Sequence, residues 1–99
     1  METRTIALEP IEYARKLVDV ASDKQATDIL LLDIRNLNVF ADFFVIMTSD
    51  NRRLMSALQQ DMVEVLEQAG ARLHHLEGTV ESGWMLLDFG DVIVHLFAQ

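Results

Sequence analysis

Apolar residues recur along this chain with periods typical of helices and strands. Between Pro10 and about Ser22 they follow helical spacing, and Pro10 suits a first helical turn, so this pattern predicts an amphipathic helix. A longer helical stripe begins at Leu54, behind the candidate caps Ser49-Asp50-Asn51, and ends at Gly70. These two segments predict the helical part of the fold.

Two further apolar runs and one shorter, mixed segment have the length of strands. Residues 29–34 are apolar except for one aspartate, which predicts a strand buried on both faces. After a polar connection over residues 35–38, residues 43–48 are rich in aromatic and β-branched side chains and predict a second strand. A short third strand is predicted over residues 72–76, and a loop over residues 77–83.

The last segment predicts a β-hairpin with a two-residue loop at Gly90-Asp91, where glycine accepts the positive φ of a tight turn. This loop places three apolar pairs on one face, which we expect to be the core face: Phe89 with Val92, Leu87 with Val94, and Met85 with Leu96. The other face mixes aromatic, acidic and imidazole side chains and suits a partner better than a dry interior. It carries Trp84, Leu86, Asp88, Ile93, His95 and Phe97.

The predicted order of elements is α-β-β-α-β-β-β. A strand, a helix and a strand in succession imply a right-handed parallel crossover, whereas the last strands form antiparallel hairpins. The sequence therefore predicts an α/β two-layer domain with a mixed β-sheet and two main helices. Its 99 residues are enough for one hydrophobic core, so we expect a single domain over residues 1–99.

Composition narrows the classes of function. The chain has no cysteine, which excludes disulfides and zinc knuckles, and it has neither a signal-length apolar start nor a run of ~20 apolar residues. We therefore expect a cytoplasmic protein with no membrane partner. A formal charge of −8 argues against direct, sequence-specific nucleic-acid binding. It favours a basic protein partner, or it serves solubility alone.

Several segments resemble the Iojap family of ribosomal silencing factors. They are residues 23–29, Leu32-Asp33, residues 41–46, Glu77-Gly78, and residues 84–97 with their Asp-Phe-Gly-Asp-Val-Ile-Val-His core. The resemblance implies a minimal nucleotidyltransferase-like fold without enzymatic activity, catalytic residues, bound metal or cofactor. It also implies a translational repressor, often a homodimer, that binds ribosomal protein L fourteen on the large ribosomal subunit. There it sterically blocks association of the ribosomal subunits under nutrient limitation.

The same resemblance carries a partner-binding surface onto five residues of this chain: Glu77, Trp84, Asp88, Phe89 and Asp91. Family members usually continue past the last strand into an Arg-x-x-Tyr-x-Leu-Glu-x-Leu-Trp segment, whereas this chain ends at Ala98-Gln99. We therefore expect the domain to lack the family's usual C-terminal segment.

Each candidate residue also has a purely structural interpretation. Trp84 at a strand start is typical of a core residue, and an aspartate beside glycine, as at Asp88 and Asp91, commonly satisfies its own turn. His95 lies diagonal to Asp88 in the predicted pairing, which allows a hydrogen bond between them. The adjacent His74 and His75 point to opposite faces of a strand, so a metal site with Glu77 is disfavoured.

Two alternative functions use the same residues. Ser49-Asp50 after a strand, together with Asp88 and Asp91, echoes a metal-dependent nucleotide-binding or nucleotidyltransferase-like domain. A bare homodimerisation domain would instead cover Trp84, Ile93 and Phe97 with a second copy.

Overall fold

The order of helices and strands is the predicted one. A computed structural model describes residues 8–37 and 40–99. Asn38 of the predicted connection, and the start of the chain before residue 8, lie outside the described residues. The elements are α1 Pro10–Asp23, β1 Thr27–Asp33, β2 Phe43–Ser49, α2 Arg52–Gln68, β3 His75–Thr79, β4 Trp84–Asp88 and β5 Val92–Ala98.

Both helices begin where their sequences supply capping groups. The amide of Glu9 donates to Oε1 of Glu12 at 3.3 Å at the start of α1, with Pro10 as the first helical residue. At the start of α2, Oδ1 of Asn51 accepts the amide of Leu54 at 2.8 Å. The helix α2 ends before Gly70, whose φ of +102° continues no right-handed helix.

The five strands form one mixed sheet in the order β1-β2-β5-β4-β3. Strands β2 and β5 pair in parallel, and the other three pairs are antiparallel. The expected crossover from β2 through α2 therefore does not place β3 beside β2. Strand β3 lies at the far edge, and the chain returns through two hairpins before β5 pairs with β2.

The terminal hairpin has the predicted register. Gly90 has a φ of +92°, and the amide of Phe89 donates to the carbonyl of Val92 at 2.9 Å. Leu87 pairs with Val94 and Met85 with Leu96. These four side chains are all buried, so this face of the hairpin is the core face, as predicted.

Two strand predictions were wrong in detail. Strand β1 is an edge strand, not one buried on both faces: Leu30 is 52% exposed and Leu32 is 39% exposed. Strand β3 begins at His75, three residues after the predicted start, and extends over Gly78 into the predicted loop. Both strands lie at sheet edges, where local pattern constrains pairing weakly.

Both helices pack on one side of the sheet, and the core lies between the two layers. Alternate residues of the inner strands point into this core, which gives β2 and β4 their period of two. Both helices and the strands β2, β4 and β5 contribute fully buried core side chains: Leu17, Val45, Met47, Met55, Leu58, Met62, Leu66, Leu87, Val94 and Leu96.

Candidate partner-binding face

The sheet surface opposite the two helices is called the open face below. In the described part of the chain, no helix lies over it. The strand registers define its members, because residues paired across neighbouring strands point to the same side. They are Leu30, Leu32, Phe44, Ile46, Thr48, His75, Glu77, Thr79, Trp84, Leu86, Asp88, Ile93, His95 and Phe97.

Apart from His95, the centre of the open face is apolar, and its β3 margin is polar. One row across the sheet runs Leu30, Ile46, His95, Leu86 and Glu77, from the β1 edge to the β3 edge. His95 therefore stands on the central strand of the sheet. A largely apolar surface of this width, rimmed by charge at one edge, is typical of a protein-binding site.

Trp84 packs along β3 at one end of the open face. A Cβ placed on Gly78 would lie 2.9 Å from Cε3 of Trp84 and 2.1 Å from its carbonyl oxygen. The indole thus occupies the space that a side chain at position 78 would need, while remaining partly exposed. Across the hairpin, Trp84 pairs with Phe97, which is 39% exposed.

Glu77 and Asp88, two more of the predicted partner-binding residues, also lie on the open face. Oε1 of Glu77 lies 2.9 Å from Nε2 of His75, two residues earlier on the same strand. Oδ1 of Asp88 accepts the amide of Gly90 at 2.7 Å, so this carboxylate stabilises the hairpin turn. The turn interpretation therefore applies to Asp88, which still has its second carboxylate oxygen for a partner.

Phe89 and Asp91, the remaining two predicted residues, lie elsewhere. Phe89 is only 7% exposed and belongs to the core, so its side chain offers little surface to a partner. Asp91 is exposed at the turn, and its carbonyl accepts the amides of Asp42 at 2.7 Å and Phe43 at 3.1 Å. Both residues border a pocket of about 310 Å³ that also involves Tyr13, Arg72 and His74.

The expected hydrogen bond between His95 and Asp88 is absent from the described residues. The ring of His95 instead meets the ring of Phe44 edge-on, with centroids 5.1 Å apart and planes inclined by 71°. Burial lowers the pKa of His95 below its ordinary value, because the charged imidazolium loses hydration there. At neutral pH the imidazole on this face is therefore predominantly neutral.

Two residues behind the nucleotidyl-transfer alternative, Ser49 and Asp88, have structural roles. Ser49 is fully buried, and its Oγ donates to the carbonyl of Asn51 at 2.9 Å. The described residues contain no group of three or more histidine, aspartate or glutamate side chains placed to share a metal ion. Within the same residues, no helix is both long and apolar enough to span a membrane.

Comparison with known proteins identifies the family. A family described as "Ribosomal silencing factor during starvation" matches residues 7–99. The chain belongs to the ribosomal silencing factor family. It is similar to the ribosomal silencing factor RsfS of Halalkalibacterium halodurans, with 30% identity over 87% of this chain and 74% of that protein.

Other members of the silencing factor family and one solved structure are also similar. The RsfS protein of Bacillus subtilis is 35% identical over 76% of this chain and 64% of its own length. The chloroplast protein Iojap of Zea mays is 35% identical over 90% of this chain, which corresponds to 39% of the maize protein. A crystal structure of a Chromobacterium violaceum protein superposes with a TM-score of 0.86 at 28% identity, covering 92% of this chain and 76% of that one.

In this silencing factor, the sequence predicted the part of the open face formed by β4 and β5 but not the part formed by β1 and β2. The hairpin pattern identified the contributions of β4 and β5. Leu30 and Leu32 were expected to be buried, and Phe44 and Ile46 were assigned only to a strand. The parallel pairing of β2 with β5 places Phe44 and Ile46 beside the hairpin, and the pairing of β1 with β2 places Leu30 and Leu32 one strand further out on the same face. Only the topology shows this.

Proposed function

We propose that this protein represses translation by binding the large ribosomal subunit through ribosomal protein L fourteen and sterically blocking association of the ribosomal subunits under nutrient limitation. Membership of the silencing factor family supports the ribosome as the target. The open face is the observation that carries the proposed mode of binding, since its apolar centre is uncovered by the described helices. The proposed site of action is the cytoplasm, where ribosomal subunits join.

The proposed contacts divide into an apolar anchor and a charged margin. Trp84 and Phe97 provide neighbouring aromatic rings, and aromatic side chains are frequent anchors of interfaces. Glu77 and Asp88 offer carboxylate oxygens to lysine or arginine side chains of a basic partner. Asp91 lies beyond this margin at the turn, where a large partner could also contact it, whereas Phe89 supports the turn from the core.

Silencing by occlusion needs no chemistry, so the proposal includes no catalytic residue, metal or cofactor. An interface of ~800 Å² on each partner is enough for stable binding. The helices α1 and α2 lie on the side of the sheet away from the open face, so they would project outward from the docked molecule. Their bulk would occupy space that the small subunit needs.

The decisive experiment measures binding to purified large ribosomal subunits by co-sedimentation, and subunit joining by light scattering. We expect Trp84→Ala to weaken binding about thirtyfold or more, because loss of an aromatic anchor commonly costs ~2 kcal/mol or more. Subunit joining should recover in parallel. Glu64→Ala on the exposed face of α2 is the matched control and should bind like the wild type.

Trp84 also packs against β3, so a second variant separates docking from folding. Phe97→Lys adds a charge to a position that is 39% exposed and should abolish docking while leaving the circular dichroism spectrum unchanged. If both variants fold and bind at full strength, the open face is not the docking site.

We propose further that a second copy of the chain can cover the same face when no ribosome is present. The exposed side chains of Leu30, Leu32 and Phe97 favour this self-association. A dimer of this kind would have to separate before docking, because both partners use one surface. Light-scattering masses of the wild type and of Phe97→Lys test it: a dimer that persists in the variant would have to use another surface.

A further inference from the structure

The proposed docking face contains one titratable side chain at its centre. His95 lies on the central strand β5, directly opposite Ile46 on β2 and Leu86 on β4. Its ring contacts Phe44 at a centroid distance of 5.1 Å. A partner that covers the open face must therefore cover this imidazole.

Within residues 8–37 and 40–99, no charged group is placed to compensate a protonated His95. Strand β2 presents Phe44 and Ile46 to it, and β4 presents Leu86. The nearest carboxylate positions are Asp88, diagonal to His95 and bonded to the amide of Gly90, and Glu77, two strands away and paired with His75. Its own strand adds Ile93 and Phe97.

We infer that docking on the open face requires a neutral His95, so that the silencing complex forms at neutral pH and dissociates as the solution becomes acidic. This inference rests on the proposed function and adds a condition to it. Covering the face removes the remaining water around the ring, and an imidazolium there would lose hydration without gaining a counter-charge.

The direction of the effect follows from proton linkage. Burial already lowers the pKa of His95 in the free protein, and a partner that covers the ring would lower it further by removing its remaining water. The bound state then carries fewer protons than the free state, so affinity falls as the pH drops through the pKa of the free protein. A histidine with the ordinary pKa of ~6.5 would lose about tenfold in affinity between pH 7.5 and pH 5.5. Because the pKa of His95 is lowered, the expected loss of affinity is smaller than this upper bound.

Two substitutions of His95 act in opposite directions. His95→Gln keeps a polar, uncharged side chain and should make affinity independent of pH between 7.5 and 5.5. His95→Lys carries a permanent positive charge and should bind weakly at both pH values. His74→Gln is the matched control: His74 lies beside Gly90 on the other side of the sheet, so this variant should lose affinity in acid like the wild type.

The experiment measures the dissociation constant for purified ribosomal protein L fourteen at pH 7.5 and 5.5 and at constant ionic strength. The chain is kept at a concentration at which light scattering shows it to be monomeric, so that His95 is uncovered in the free state, and folding is checked by circular dichroism at each pH. The ratio of the two constants is the readout, so a variant with altered affinity remains informative. Severalfold weaker binding of the wild type at pH 5.5, abolished by His95→Gln, supports the inference. A wild type that binds equally at both pH values, or a His95→Gln variant that keeps the pH dependence, overturns it and leaves the proposed function intact. Absence of wild-type binding at pH 7.5 overturns the proposed function itself.

Discussion

Gly78 determines how closely Trp84 packs against β3 at one end of the open face. Its φ of +81° is a conformation that residues with a Cβ rarely adopt, and the space beside it holds the backbone and indole of Trp84. Glycine at this position therefore allows the aromatic anchor to pack closely against β3.

Replacing Gly78 with alanine should reduce the free energy of unfolding by about 2 kcal/mol or more, since both backbone strain and a clash with the Trp84 carbonyl oppose the new Cβ. Urea denaturation followed by tryptophan fluorescence measures this loss. Gly70→Ala is the matched control: its φ is +102°, but the nearest atom to a Cβ there is Oη of Tyr13 at 3.6 Å. It should lose only about 1 kcal/mol. Equal losses would show that the contact with Trp84 adds nothing.

Strand pairing predicted which side of the sheet a side chain occupies, but it did not predict every contact of that side chain. The hairpin register turned Phe89 toward the core, and the structure buries it, although the family resemblance assigned it to the partner surface. The register also made His95 and Asp88 diagonal neighbours, but Asp88 accepts a bond from the nearer amide of Gly90. A local turn contact prevails here over a cross-strand contact of longer reach.

Among the elements, α2 carries the clearest test of local sequence. Asn51→Ala should lower the free energy of unfolding by about 1 kcal/mol, because the amide of Leu54 loses its 2.8 Å acceptor at the exposed start of the helix. Asn51→Ser offers a replacement acceptor and should lower the free energy of unfolding by only a few tenths of a kcal/mol. Thermal melts of both variants provide the comparison. Identical melting temperatures would mean that water replaces the cap at no cost.

The two edge strands show where pattern alone fails. The apolar run of β1 was predicted to be buried on both sides, yet one side faces the core and the other belongs to the open face. An apolar surface kept for a partner has the same sequence signature as an interior surface. The predicted β3 began three residues too early and ended before Glu77, because His75 and Glu77 are polar and Gly78 is typical of a loop. By contrast, the ends of β2, β4, β5 and α2 were predicted within a few residues.

At the scale of the whole molecule, charge should control the rate of docking more than the lifetime of the complex. With a formal charge of −8, association with a basic ribosomal protein should slow about tenfold between 50 and 300 mM NaCl, while dissociation changes little. Surface plasmon resonance separates the two rates. Glu77→Gln at the margin of the open face should slow association more than Glu64→Gln on α2, although both variants have the same net charge. Equal slowing would mean that overall charge, and not its placement, guides the encounter.

The position of β5 in the middle of the sheet also affects how this protein is made. Residues 92–98 join the β1–β2 pair to the β4–β3 pair, and they are translated after the other four strands of this sheet. While a nascent chain still holds β5 inside the exit tunnel, its two strand pairs have no shared neighbour and the open face does not exist. The surface proposed to stop ribosomes therefore forms only after the ribosome making it has released that strand.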